Sequence, residues 1–373
     1  MSLPLVGIDA SRGFQAAAPE TGTEHYARQV VTRLAAQGGA RWRLYARPGG
    51  ANMPEGACVR RLRPARLWTH LGLGPELALR PPDALFVPAH VLPLPCRVPA
   101  IVTVHDVGFR HFPAAHPWSR RAYLEWSTRR HVRIAARLVA DSAATADDLV
   151  RLFGADRARI TIAPLGALPV AAPPAPADVA ALRARLGLPA DARYVLHVGT
   201  LQPRKNLPRL IAAFARLAAE RPDLQLVLAG APGWGDENLG GAATSAGVGA
   251  RVHLVGYVPR AEVGALYAGA AAVVVPSLHE GFGLPALEAM AHGAPLALAS
   301  SSSLPEVGGA AALYFPPTDV EAQAAAIARL LDDAPLAARL SAVGRQRAGQ
   351  FTWDATAARV REAIDAVLDA VGR

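Results

Sequence analysis

Short apolar runs alternate along this chain with longer stretches whose apolar positions fall at helical spacing. Leu3–Ile8 reads as a buried strand, and a polar, glycine-containing loop follows to Thr23. Over Glu24–Ala36 the apolar positions Tyr26, Val30, Val31 and Leu34 share one helical face. Arg41–Ala46, Ala84–Val87 and Ala100–Val104 read as further strands, Tyr123–Ala136 as a helix, and Leu138–Asp141 and Ile160–Ile162 as short strands. Pro169–Pro176 then holds four prolines in eight residues, which fits neither a helix interior nor a central strand. The alternation restarts beyond it. Strands are predicted at Tyr194–Val198, Leu224–Ala229, Val252–Val255, Ala272–Val275 and Leu296–Ala299. Helices are predicted at Leu207–Ala219, Ala261–Ala268 and Pro285–His292, with more after Asp319. Strand–helix alternation of this kind predicts parallel sheets with helices on both faces, and ligands at the C-terminal strand ends. The expected organisation is two doubly wound Rossmann-like α/β domains facing a central cleft. Residues 1–168 form the first, 169–178 a linker, 179–350 the second, and 351–373 C-terminal helices.

Composition sharpens this outline. A chain of 373 residues is comfortable for two domains, and 51% apolar with 18% charged residues is globular. The net charge of +9 is uneven: residues 1–168 carry a net of +10 and residues 169–373 a net of −1. That asymmetry fits either an anionic partner for the first half or an arginine-rich genome. Two cysteines, Cys58 and Cys96, make neither a metal site nor a disulfide framework. Met1–Ala10 lacks the basic start of a signal peptide, and apolar stretches such as Ala265–Pro276 are too short to span a bilayer. A soluble cytoplasmic protein, resting at most peripherally on the inner face of a membrane, is expected.

Two segments carry candidate chemistry. In Gly199-Thr-Leu-Gln-Pro-Arg204-Lys205-Asn206 a strand ends at the glycine and a helix starts near Asn206, a residue suited to capping. Arg204 and Lys205, the chain's one lysine, thus precede a helix N-terminus, a place for a diphosphate. A solvated Arg–Lys pair is the plain alternative. The second segment is His279-Glu280-Gly281-Phe282-Gly283-Leu284-Pro285-Ala286-Leu287-Glu288. Its glycines let backbone approach a ligand, and Pro285 suits the first turn of a helix. Glu280 in the loop and Glu288 in that first turn are carboxylates that could hold sugar hydroxyls. Gly281 to Ala286 also matches the dinucleotide pattern G-x-G-x-x-A, but late in the chain and without a suitable acid-tipped strand after it.

These segments resemble the family 4 glycosyltransferases of GT-B fold, and the resemblance extends over nearly the whole chain. Other stretches match in order: Asp9 with Thr21-Gly22-Thr23, Thr103-Val-His105-Asp106, Leu228-Ala-Gly230, Val255-Gly-Tyr257-Val258-Pro259, Ser303-Leu-Pro-Glu-Val307 and Phe351-Thr-Trp353. The resemblance implies a retaining, metal-independent transferase that moves a hexose from a nucleotide-sugar, with GDP-mannose the donor it points to. The acceptor would be lipid-linked or a surface polysaccharide, and no cofactor is needed. Arg204 and Lys205 would hold the diphosphate, Glu280 the transferred sugar and Glu288 the ribose. Backbone at Phe282, Gly283 and Leu284 would support phosphate and sugar. Tyr257 and Val258 would lie near the base, with Gly199 and Thr200 at the donor. His105 would flank the reacting sugar and Gly22 would line the facing loop. Thr200 departs from the pattern, since many members carry a basic residue there, and Arg204 would supply that charge. Trp234 resembles a segment frequent in polysaccharide-assembly relatives.

The helical stretch Trp118–Arg133 is basic and aromatic. Trp126, Arg129, Arg130 and Arg133 fall at i, i+3, i+4 and i+7, a face suited to an anionic membrane. A helix with a packed aromatic side and a solvated basic side is the alternative, and no nucleic-acid motif is present. Rival readings of the chain are a catalytically idle nucleotide-sugar binder, a GT-B epimerase or phosphorylase, and an NAD-dependent dehydrogenase.

Overall fold

The computed structural model describes residues 3–15, 21–89, 91–113, 117–167, 170, 172, 174–189, 192–233 and 238–372. Trp234 and much of the proline-rich stretch lie outside these. The chain divides into two compact units, one of Met1–Arg110, Trp118–Gly166 and Thr352–Arg373, the other of His111–Pro117 and Ala167–Phe351.

The first unit is built on β1 (Leu5–Asp9), β2 (Arg41–Ala46), β3 (Cys58–Arg61), β4 (Ala84–Val87), β5 (Ala100–Val104), β6 (Arg137–Ala140) and β7 (Ile160–Ile162). Among the described residues these form one parallel sheet in the order β3-β2-β1-β4-β5-β6-β7. Its helices are α1 (Gly22–Ala35), α2 (Gly74–Leu79), α3 (Gly108–His111), α4 (Trp118–Ile134) and α5 (Ala143–Phe153). A π-helical turn, Thr69–Leu73, leads into α2. Helix α1 starts after Thr21, whose backbone N–H donates to Glu24 Oε2 at 3.1 Å, and it buries Tyr26, Val30, Val31 and Leu34 as the periodicity predicts. β4 and β5 are buried along their whole length, so they read as unbroken apolar runs.

The second unit repeats the plan. Its strands are β8 (Arg193–Val198), β9 (Leu224–Ala229), β10 (Val252–Gly256), β11 (Ala272–Val275), β12 (Leu296–Ala299) and β13 (Ala312–Phe315), paired in parallel in the order β10-β9-β8-β11-β12-β13. Its helices are α6 (Pro176–Arg185), α7 (Leu207–Ala218), α8 (Leu239–Ser245), α9 (Arg260–Ala268), α10 (Leu284–Ala291), α11 (Leu304–Gly308), α12 (Val320–Asp332) and α13 (Ala334–Ala348). Helix α7 buries Leu210, Ile211, Phe214 and Leu217 on one face, each contributing about 1.5–3 kcal/mol. The stretch expected as linker to residue 178 runs into α6, because Pro176 takes a first-turn position where no amide donor is needed. The last helix, α14 (Trp353–Ala370), belongs to the first unit, where it packs on α1 and on β4, β5, β6 and β7.

In each sheet the strand order reverses once, between β1 and β4 and between β8 and β11. Open α/β sheets bind ligands at such switch points. No helix of the described residues is long and apolar enough to cross a membrane.

Candidate functional site

In the second unit the loops after β8 and β11 bring together the residues singled out at Gly199–Asn206 and His279–Glu288. Leu278 N–H donates to the Arg204 carbonyl at 2.9 Å, tying one loop to the other. Lys205 Nζ donates to Glu280 Oε1 at 2.6 Å, and Arg204 Nη1 donates to Glu280 Oε2 at 3.0 Å and to the His279 carbonyl at 2.7 Å. Arg204, Lys205 and Glu280 are therefore one cluster. Ser277 Oγ adds a hydrogen bond to Glu280 Oε1 at 2.6 Å, and Glu280 N–H donates to Ser302 Oγ at 2.7 Å. Ser303 Oγ donates to the carbonyls of Glu280 and Phe282 at 3.0 and 2.7 Å.

This cluster is buried, Lys205 at 6% and Glu280 at 5% exposure. Burial alone would raise the Glu280 carboxyl. The charges of Lys205 and Arg204, with hydrogen bonds from Lys205 and Ser277, outweigh it and hold the carboxyl far below its usual range. His197, beneath the cluster, is the converse. Burial and the Lys205 charge push it down to about 4, while its Nδ1 lies 3.0 Å from the Val274 carbonyl. It is a neutral structural side chain.

Glycine matters at two points here. Gly230 follows β9 at φ +153°, and a Cβ on it would sit 1.9 Å from the Gly199 carbonyl oxygen, so the turns after β8 and β9 close only around a glycine. Gly283, at φ +106°, precedes α10, and a Cβ there would press to 2.9 Å on Leu304. Phe282 is buried and meets Phe351 edge-on at 5.9 Å, while Leu284 opens α10 half-buried. The buried turn Gly281–Gly283 thus leads straight into the N-terminus of α10.

Two expectations need correction. Asn206 is left-handed at φ 60° and makes no side-chain cap for α7. Its amide instead donates to the carbonyls of Pro276 (3.0 Å) and Pro317 (2.6 Å), fastening the cation loop to β11. Glu288 is not in the first turn of α10, because that helix begins at Leu284 and places it one turn further in. There it accepts from the buried Tyr267 hydroxyl at 3.2 Å and faces Arg260 at 3.7 Å. Burial raises its carboxyl, against the Arg260 charge and the Tyr267 hydrogen bond. Thr200 and Tyr257 are exposed and Val258 is buried at the end of β10.

In the first unit Gly22 opens α1 at the surface. His105 lies past β5, with Nδ1 2.7 Å from Asp141 Oδ2 and Nε2 3.0 Å from the Pro88 carbonyl. Tyr26 meets its ring edge-on at 4.8 Å. Each ring nitrogen therefore has an oxygen within hydrogen-bond reach, and burial raises the Asp141 carboxyl against the charge and hydrogen bond of His105. Burial opposes that charge, but Asp141 by charge and hydrogen bond, Asp106 by charge and the Pro88 carbonyl by hydrogen bond raise the His105 value.

The expected membrane face divides. Arg130 donates to the carbonyls of Leu92 and Pro93 at 3.0 and 2.8 Å, a structural bond that takes it out of the surface set. Arg129 pairs with Glu125 at 2.7 Å and lies over the Phe153 ring. Trp126 and Arg133 remain exposed.

Sequence reasoning passed over Ser277, Ser302, Tyr267 and Asp141. Ser277 stands three residues before Glu280, a spacing that offers a local hydrogen bond. The other three meet their partners only through the sheet topology.

Two parallel doubly wound sheets, with a buried Arg–Lys–Glu cluster at the switch point of the second, define a GT-B glycosyltransferase architecture. The Glycosyltransferase Family 4 profile matches residues 21–167, and that of Glycosyl transferases group 1 matches residues 178–347. O-antigen chain mannosyltransferase B of Escherichia coli is 35% identical over 256 residues, covering 68% of this chain and 67% of that protein. D-inositol 3-phosphate glycosyltransferase of Thermobispora bispora is 39% identical over 252 residues, covering 65% of this chain but 58% of that protein. Sucrose-phosphate synthase of Thermosynechococcus elongatus shares the fold with a TM-score of 0.77 over 99% of this chain and 100% of that one, at 24% identity. The chain belongs to the family 4 glycosyltransferases of the GT-B class.

Proposed function

We propose that the protein transfers a hexose from a nucleotide-sugar, with retention of configuration and without a metal ion, to a lipid-linked or polysaccharide acceptor. The observation that carries this reading is the Arg204–Lys205–Glu280 cluster ahead of α10. Cleavage of the bond between the sugar's C1 and the diphosphate oxygen leaves its electron pair on the diphosphate. The buried Lys205, the partly buried Arg204 and the N–H groups ahead of α10 stabilise that charge, work that a metal ion does elsewhere. The acceptor hydroxyl attacks from the same face, and its proton passes to the departing phosphate. Glu280, ionised and fixed by its neighbours, accepts hydrogen bonds from sugar hydroxyls, and Glu288 does so from the ribose. Backbone at Phe282, Gly283 and Leu284 supports the phosphates and sugar. Gly199, Thr200, Tyr257 and Val258 border the nucleotide.

GDP-mannose is our choice of donor, supported by the likeness to the E. coli mannosyltransferase. Thermal unfolding against GDP, UDP, dTDP, their sugar derivatives and NAD tests it. A ligand at about a hundred times its Kd adds roughly 2.7 kcal/mol of stability. The expected result is a shift with GDP and GDP-mannose and mannose transfer that survives EDTA. A shift with NAD alone would overturn the reading. Lys205→Ala should lower kcat about 10²–10³-fold, since it faces charge that grows in the transition state.

A further inference from the structure

A groove of about 520 Å³ lies within the first unit, between the loop after β2 and the start of α4. Arg47, Arg66 and His70 line it together with Leu67, Trp68 and Tyr123, and neither aspartate nor glutamate is among the lining residues. Arg47 directly follows β2, at the C-terminal end of the sheet where such folds bind ligands. Buried nitrogens of three lining side chains, Arg47 Nε, Trp68 Nε1 and His70 Nδ1, have no hydrogen-bond partner among the described residues. Buried polar nitrogens are ordinarily satisfied, and Arg47 Nε and Trp68 Nε1 can only donate, so they mark a place that expects an acceptor. Arg47 also acts on the buried Asp9 carboxyl, but that group lies in β1 and does not line the groove.

The rim has a different character. Leu67 and Tyr123, both at the groove, are 65% and 45% exposed, and Trp126 lies 5.9 Å from Tyr123 ring to ring. Large apolar side chains beside an acid-free cationic groove suit a ligand that is anionic at one point and greasy beside it.

We propose that this groove binds the phosphate of an amphiphilic acceptor, the arginines taking the phosphate oxygens and the rim taking the hydrocarbon. The assignment rests on the lipid-linked acceptor of the proposed reaction and places that acceptor's anionic group. The recognised chemistry is a phosphate ester carried on an apolar chain, as distinct from a free phosphate.

Octyl phosphate, octyl glucoside and inorganic phosphate, each below any micellar concentration, are titrated into the full chain, with tryptophan fluorescence and calorimetry as readouts. Octyl phosphate should bind at least about tenfold more tightly than either of the others. Arg66→Gln, an exposed position that leaves the fold untouched, should weaken octyl phosphate about tenfold, and Arg47→Gln similarly. Arg133→Gln, an exposed charge outside the groove, should leave binding unchanged. Equal loss in Arg66→Gln and Arg133→Gln would overturn the site in favour of diffuse charge attraction. Inorganic phosphate binding as tightly as octyl phosphate would overturn the lipid assignment, as would octyl glucoside binding equally well. Nucleoside diphosphate binding should be the same in Arg66→Gln and wild type. If the wild type bound no nucleotide-sugar while octyl phosphate still bound, the transfer reading would fail and the groove would stand.

Discussion

Among single residues, Glu280 and its neighbours set the strongest expectation. A buried ion pair contributes little net stability, but breaking it strands a charge. Lys205→Met and Glu280→Gln should each destabilise the second unit, while the double variant loses less than their sum. A double-mutant cycle by urea unfolding should show a coupling of about 1–3 kcal/mol. Independent losses would mean that the two charges are screened from each other.

The buried histidines set a pH dependence. His131, whose Nε2 accepts from the Leu92 N–H, and His197 are both pushed down to about 4 by burial, with nearby Arg130 and Lys205 adding to it. Each stays neutral in the folded chain while the unfolded chain protonates near 6.5. The stability they carry is complete above pH 6.5 and is lost as pH falls toward 4, up to about 3 kcal/mol apiece. His105 has the opposite sign: its contribution is complete below 6.5 and is lost as pH rises through its raised value. Imidazole NMR signals should show His131 and His197 unprotonated at pH 5 and His105 losing its proton at a higher pH than either. A reversed order would contradict the hydrogen bonds described for the three rings.

For elements, α4 is the instructive case. Its sequence offered an arginine face for a membrane, but helical spacing alone does not tell a solvated guanidinium from one that satisfies carbonyls. Arg130 bonds the Leu92–Pro93 turn, and His131 bonds the same turn from the buried side. Arg130→Gln should cost the first unit about 1–3 kcal/mol, while Arg133→Gln should stay within about 0.5 kcal/mol, measured by thermal unfolding. Equal effects would return Arg130 to the surface. The same distinction explains what was legible elsewhere. Strands such as Ala84–Val87 and Ala272–Val275 were readable because they are buried on both faces and uninterrupted. The edge strand Cys58–Arg61, half-exposed with two arginines, carried no apolar signal, and Ala312–Phe315 and α5 were also passed over. The two loops of the cluster were legible from Gly199, Lys205 and Glu280. That Lys205 would lie on Glu280, and Asn206 on two distant carbonyls, depended on contacts 70 or more residues apart in the chain.

For the whole molecule, the two units differ in how the chain composes them. The second is one long segment with a short earlier piece, whereas the first is closed by α14, returning after the second is complete. Trp353 is 1% exposed, and Thr356 Oγ1 donates to the Pro164 carbonyl at 2.6 Å. A Cβ on Gly166 would lie 2.3 Å from the Trp353 backbone nitrogen, so α14 begins directly against the end of the first segment. Removal of Thr352–Arg373 should abolish the calorimetric transition of the first unit while nucleotide binding by the second persists. Retention of both transitions would show α14 to be peripheral.

That return of the chain has a consequence during synthesis. The first unit's sheet emerges from the ribosome early, but the helix covering part of it is translated only after the second unit. At about 5–20 residues per second the intervening unit takes roughly 10–40 s to make. Through that interval the nascent sheet carries the uncovered apolar surface that will later receive Val360, Ile364 and Val367. A chaperone that holds exposed apolar surface has that window in which to act, and codon choice across the second unit sets its length.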